Sequence, residues 1–325
     1  AAFWADGGSF GPPAIPIYAL ISSNDVPYML GYDTTSTPWP SSDEPLDVNP
    51  STPCSMVASN SALTRFAYGA TDVPQNRLFD AGGTPIPLSV DHDMGGPLVD
   101  IAFDNTNGRV YFLSDSSLRC YSTSDGTWIS FAGSADNLGI SVSSNGNFIA
   151  VITDRGVSFR VFKLAGGSLT INNPPNSAVG RGAWRGSNAQ ITLPIDTAPY
   201  LRVWDCGSST AFFVGNITSA MTGPARFCAF NPAGTRLVCI GDNEVELYHV
   251  SGYATTTYVR QVVLPVGWPA DFSVVKKCVF SADGSQLLFS NGQIFDTTTN
   301  PFTAIAAPSE LPVNGLAACY VNIPL

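Results

Sequence analysis

Two histidines are all the imidazole available to this 325-residue chain, and each sits in a pattern whose chemistry can be weighed. His92 lies between Asp91 and Asp93 ahead of Met94-Gly95-Gly96, so two carboxylates and a ring nitrogen alternate along a loop. Such a set holds a divalent ion only when further ligands converge with it. Alternate loop residues rarely converge, and a solvated turn is expected. His249 follows Tyr248 on an expected strand and reads as a partly exposed strand residue. Gly7-Gly8-Ser9-Phe10-Gly11 carries the letters of the G-x-S-x-G nucleophile elbow. That elbow needs a strand before it, a helix after it and a histidine late in the chain, none of which the sequence provides. There is no GxGxxG or GxxxxGK[ST] loop to cradle a phosphate. Asp242 and Glu244 fall in a hairpin loop, where turn chemistry accounts for them. The expectation is a chain with no catalytic residues, no cofactor and no metal site.

The seven cysteines cannot all pair and form no C-x-x-C clip, which excludes a complete disulfide framework and a zinc ribbon. A reducing compartment is the simpler expectation. Cys228, Cys278 and Cys319, with Cys54, recur at one position of a repeated strand, which reads as packing. The single glycosylation sequon, Asn216-Ile217-Thr218, is too little to argue for secretion. Fifteen basic residues against 25 acidic ones give a net charge of −10. The basic residues are scattered, with Arg181 and Arg185 flanking Trp184, so the phosphate neutralisation that nucleic-acid binding rests on is missing. Apolar stretches fall far short of the roughly 18–20 residues a membrane span requires, and a soluble chain is expected.

The elements that would position these residues repeat. A strand ending in an aromatic recurs at Tyr32, Phe79, Tyr121, Phe162, Trp204, Tyr248 and Phe295, at separations of 47, 42, 41, 42, 44 and 47 residues. Upstream of six of these anchors, an apolar strand, a tight turn and a second apolar strand keep step. The turns fall around Gly108, Gly146, Asn188, Gly234 and Gly284, with a weaker copy around Asn60. Gly, Asn and Asp serve there because a short hairpin demands positive φ. A fourth strand follows in WISF, AFFVG and VRQVVLP. Four antiparallel strands in a period of about 44 residues make the blade of a β-propeller, and seven such blades use nearly the whole chain.

The expected fold is an all-β, seven-bladed β-propeller of four-stranded antiparallel blades. Residues 1–13 form an N-terminal arm and residues 14–325 a single domain. Leu316 to Ile323 align with the first strand of a blade and Ile15 to Ile21 with the second, so the two ends of the chain are expected to share the closing blade. The F-[ND]-x-x-G turn followed by [LV]-R-V-[FW]-D resembles WD-repeat propellers, with Trp204-Asp205 a literal WD pair. Phe79-Asp80, Tyr32-Asp33 and Phe295-Asp296 are variants of it. The Gly-His dipeptide of that family is absent. The resemblance implies the fold and carries over no partner or residue role.

Function in such a ring normally sits in the loops and termini that a rigid scaffold positions. Phe3, Trp4 and Phe10 in the arm, with Trp39 and Trp268 in Pro-rich loops of one face, are the expected partner-binding residues. The expected role is a non-enzymatic structural or adaptor subunit of a larger assembly, its partners other protein subunits or copies of itself. Low charge, scarce Lys and abundant Ser and Thr resemble bacteriophage virion proteins, tail or head-decoration parts, which implies a virion or cytoplasmic location. The competing expectation is a ligand-binding, glycan-binding or hydrolytic propeller with its site at the mouth of the central channel.

Overall fold

The computed structural model describes residues 17–22, 27–32, 41–45, 56–60, 65–69, 76–80, 98–131, 136–153, 158–163, 168–172, 180–186, 189–268, 275–306 and 315–321. Apart from Gly315–Val321, which pairs with Ile17–Ser22, their strands pair with sequence neighbours, first to second, second to third, third to fourth, in antiparallel sheets. Five consecutive sheets between Leu98 and Ala306 are complete four-stranded blades. Their first strands are Leu98–Asp104, Gly139–Val142, Ala183–Trp184, Ala225–Phe230 and Cys278–Phe280.

The first hairpin of each blade follows from its turn residues. Gly108, Gly146, Gly234 and Gly284 take φ of 62, 68, 67 and 74°, the left-handed region that a Cβ disfavours. A short polar side chain at the end of the first strand braces the same turns. Ser143 Oγ accepts from Phe148 N at 3.0 Å, Asn231 Oδ1 from Arg236 N at 2.9 Å and Ser281 Oγ from Gln286 N at 2.9 Å. Asn188 lies outside the described residues.

Packing explains why these strands do not alternate apolar and polar. Each apolar cluster is built from two successive sheets: Ala102, Tyr111 and Leu113 close on Ile140, Ile149 and Val151 of the next blade, and Phe159 and Val161 on Trp184, Ile191 and Leu193. A blade thus buries both faces, as parallel sheets between helices do. In strand Arg109–Ser114 every residue after the first is buried. Each buried Phe or Leu contributes about 1.5–3 kcal/mol.

Two further sheets precede and join these five. Met56–Ser59, Arg65–Gly69 and Asn76–Asp80 form a three-stranded sheet. Gly315–Val321, Ile17–Ser22, Pro27–Tyr32 and Ser41–Pro45 form a four-stranded one, in which Ala19 faces Cys319. Seven complete blades were expected; five are complete and described through their packed cores. In the three-stranded sheet the next residues, 81–97, lie outside the described ones, so no fourth strand is placed. A second correction concerns the fourth strand expected over VRQVVLP. It is only Tyr258–Arg260, because the Gln261 side-chain amide donates to Val263 O at 2.9 Å and to Asn300 Oδ1 at 3.1 Å, which turns the chain out of the sheet.

Candidate functional site

The clearest surface feature begins where that strand stops. Val262, Val263 and Val266 are 78, 68 and 91 % exposed, with Val259 and Leu264 beside them. The run is held at both ends. Gln261 fastens its start through the contacts just given, and Trp268 fastens its end. Trp268 is only 8 % exposed, its backbone N–H donates to Pro265 O at 3.0 Å, and its ring meets Phe289 and Phe295 edge-on at 5.1 and 5.2 Å. Trp268, expected as a partner-binding residue, is placed as an anchor in the core of its blade, and the valines before it face solvent. Phe212 and Phe213, on the outer strand Phe212–Asn216, add exposed aromatic surface on the neighbouring blade. Phe3, Trp4, Phe10 and Trp39 lie outside the described residues, as does His92.

The axis of the molecule is different in kind. A cavity of about 280 Å³ runs between the first strands, walled by Ile101, Ala102, Val142, Ala183, Cys228 and Val279 among others. At the end where these strands begin, three charged side chains meet. Asp100 is buried; its Oδ1 lies 3.2 Å from Lys277 Nζ and 3.5 Å from Arg181 Nη1. The same oxygen accepts from Ile101 N at 3.1 Å, and Oδ2 accepts from Ile140 N at 3.1 Å. Burial alone would push this carboxyl up. The Arg181 and Lys277 charges and the Ile140 N–H outweigh it and hold Asp100 below its ordinary value.

Arg181 is placed by its backbone, whose N–H donates to Arg226 O at 3.1 Å and whose carbonyl accepts from Cys228 N at 3.0 Å. Its guanidinium lies 5.4 Å from the Phe227 ring centroid. Gly180 permits this approach, because a Cβ there would stand 1.9 Å from Arg226 O. Arg185, on the other side of Trp184, does unrelated work. It is buried, donates from Nε to Gly234 O at 3.0 Å and stacks over Tyr258, tying two blades together.

A second buried carboxylate, Glu246, lies within a blade interface. It accepts from Ser219 Oγ at 2.7 Å, Ala220 N at 2.9 Å and Arg260 Nη1 at 3.1 Å, and from the Tyr248 hydroxyl. His249 stands between Arg236 Nη1 and Gln261 Oε1, at 2.6 and 2.7 Å from its Nε2, as a half-buried strand residue. Asp242 is bound by Arg226 through both oxygens, and Glu244 accepts from Thr222 N at 2.8 Å, so both tie their turn to the segment that enters the blade. Trp204-Asp205 has a local role, with Asp205 Oδ1 accepting from Gly207 N at 2.8 Å. Cys120, Cys206, Cys228, Cys239 and Cys278 are free and buried. Burial pushes the Cys120 and Cys206 thiols up to about 12, which suits packing and not nucleophilic work. Among the described residues no group of three or more His, Cys, Asp or Glu could hold a metal ion, and no helix is long and apolar enough to cross a membrane.

No family model and no curated protein sequence matches the chain. Solved structures do. A functionally unknown protein from Desulfotomaculum acetoxidans superposes with a TM-score of 0.66 at 10 % identity, over 94 % of this chain and 99 % of that one. A candidate 6-phosphogluconolactonase from Bacteroides uniformis superposes with a TM-score of 0.67 at 13 % identity, over the same shares of the two chains. At such identities the likeness is one of fold. The chain is an all-β propeller of four-stranded antiparallel blades.

Proposed function

We propose that the chain is a non-enzymatic structural or adaptor subunit of a larger protein assembly, which it joins through the outer edge of its blades. The observation that carries this reading is the pinned apolar run Val262 to Val266. Five valine and leucine side chains within eight residues, counted from Val259, are held toward water by contacts at both ends. Exposed apolar surface of this kind marks contact sites, and surface already ordered before contact loses less entropy on binding. The aromatics of residues 1–13, Phe3, Trp4 and Phe10, and Trp39 are further contacts on this reading.

The platform is read as a single propeller domain over residues 14–325, of the WD-repeat-like kind, latched where the chain ends share a sheet. Support comes from the first strands. Gly315–Val321 lies against both Cys278–Phe280 and Met56–Ser59, and Met56–Ser59 in turn lies against Leu98–Asp104. A virion is the setting that the low charge and scarce lysine fit. The candidate lactonase at 13 % identity shares a fold and brings no reaction to this chain.

The test is affinity purification from the native source with the wild-type chain and with a Val262→Asp, Val263→Asp, Val266→Asp variant. A defined set of proteins retained by the wild type and lost by the variant is expected. The same set on both would refute the rim as the contact surface.

A further inference from the structure

We propose that the channel mouth at Arg181 and Lys277 binds a small organic oxyanion, a carboxylate or a phosphate monoester, whose short apolar body lies in the channel. The argument starts from charge. One carboxylate, Asp100, faces two cations, and it is already saturated by two backbone N–H groups as well. The cluster therefore carries a surplus of one positive charge, on a chain whose net charge is −10.

Among the described residues no second acceptor meets either cation. Arg181 directs one Nη at Asp100 and has its guanidinium carbon over the Phe227 ring, and Lys277 Nζ has Asp100 as its hydrogen-bond partner. Guanidinium and ammonium groups each carry several donors, so most of their capacity is unspent. Both side chains also line the cavity and are 27 and 26 % exposed, partly desolvated yet open to a ligand. Charge-assisted bonds to an oxyanion are strongest in such surroundings, and Arg adds bidentate geometry.

The remainder of the cavity decides the ligand's body. Its walls combine Ala, Val, Ile, Phe and Cys side chains with Ser59, Asn105, Ser141, Ser144 and Asn231, and its volume of about 280 Å³ lies at the lower edge of small-molecule sites, roughly 300–1,000 Å³. That excludes a polymer chain and admits a small metabolite whose head reaches the cations. The placement is rigid, since Asp100 on the first complete blade reaches Lys277, 177 positions away, on the last. Arg181 is fixed by two backbone bonds to the neighbouring inner strand.

Calorimetric titration of the full chain in low-chloride buffer tests this, with inorganic phosphate, hexanoate and neutral 1-hexanol as probes. Saturable one-to-one binding of at least one anion and none of 1-hexanol is expected. Hexanoate ahead of phosphate identifies a carboxylate with an apolar body; phosphate ahead identifies a phosphate ester. Lys277→Met leaves a balanced Asp100–Arg181 pair, so it should fold and bind at least tenfold more weakly. Asp100→Asn, where it folds, should bind more tightly, because two cations then stand without their carboxylate. A wild type that binds neither anion, or a Lys277→Met variant within threefold of wild type, overturns the proposal.

Discussion

Two of the buried carboxylates, Asp100 and Glu246, meet the same physical problem with opposite results. A carboxylate removed from water must be paired and hydrogen-bonded or it will take up a proton. Glu246 meets one arginine, two hydroxyls and one backbone N–H, so its surroundings are neutral and closed inside a blade interface. Asp100 meets two cations and two backbone N–H groups beside an open cavity, and its surroundings keep a charge to spare. The first arrangement is a knot that holds blades together. The second does that and leaves donors unspent. Saturation, and not mere burial, is what separates a structural ion pair from a binding site.

The comparison breaks most visibly at Glu246. Glu246→Ala should lower the unfolding free energy by about 2–3 kcal/mol, less than the roughly 3–5 of a fully buried pair because Arg260 can turn to water; urea denaturation measures it. Gly180→Ala should cost about 1–3 kcal/mol through overpacking against Arg226 O and push Arg181 off its position. The same denaturation reads the cost, and anion binding should weaken in parallel. Asp100→Asn should cost about 1–2 kcal/mol near neutral pH, the worth of hydrogen bonds to a charged group.

Asp100 also gives the comparison a pH signature. Its folded pKa is depressed, so its contribution is fully present above the unfolded value of about 3.9 and is lost as pH falls through the folded one. Melting temperatures between pH 2 and 7 should therefore converge for wild type and Asp100→Asn at the acid end. Parallel curves would show that the carboxylate is not stabilised as described. The smallest effect belongs to Cys120 and Cys206, where desolvation outweighs the pull of Arg109 and of Lys163 and the thiols rise to about 12. Iodoacetamide at pH 8 should leave both unmodified in the native chain and label them at the rate of unfolding.

Much of the architecture was legible because it repeats. All seven anchor aromatics, Tyr32 through Phe295, lie on the third strand of their sheets, and the glycines at 108, 146, 234 and 284 make the predicted turns. Local chemistry sufficed there, since a tight hairpin needs positive φ wherever it occurs. The division of labour between Trp268 and the valines before it was not legible. An apolar run that leaves a sheet carries no period to say which side chain points inward, and the deciding contact is the bond from Gln261 to Asn300, 39 residues on. The channel cluster left only a faint sign, an aspartate and two cations at the starts of apolar inner strands. Their meeting spans 177 residues of sequence, which no local pattern encodes.

The claim on which the account turns is that the outer edge is covered by protein in the native assembly. Carbene footprinting of the chain in that assembly and of the isolated chain reads this directly at each residue. Val262, Val263 and Val266 should lose most of their labelling in the assembly while Tyr253 and Thr256 keep theirs. Equal labelling of the three valines in both states would contradict the claim.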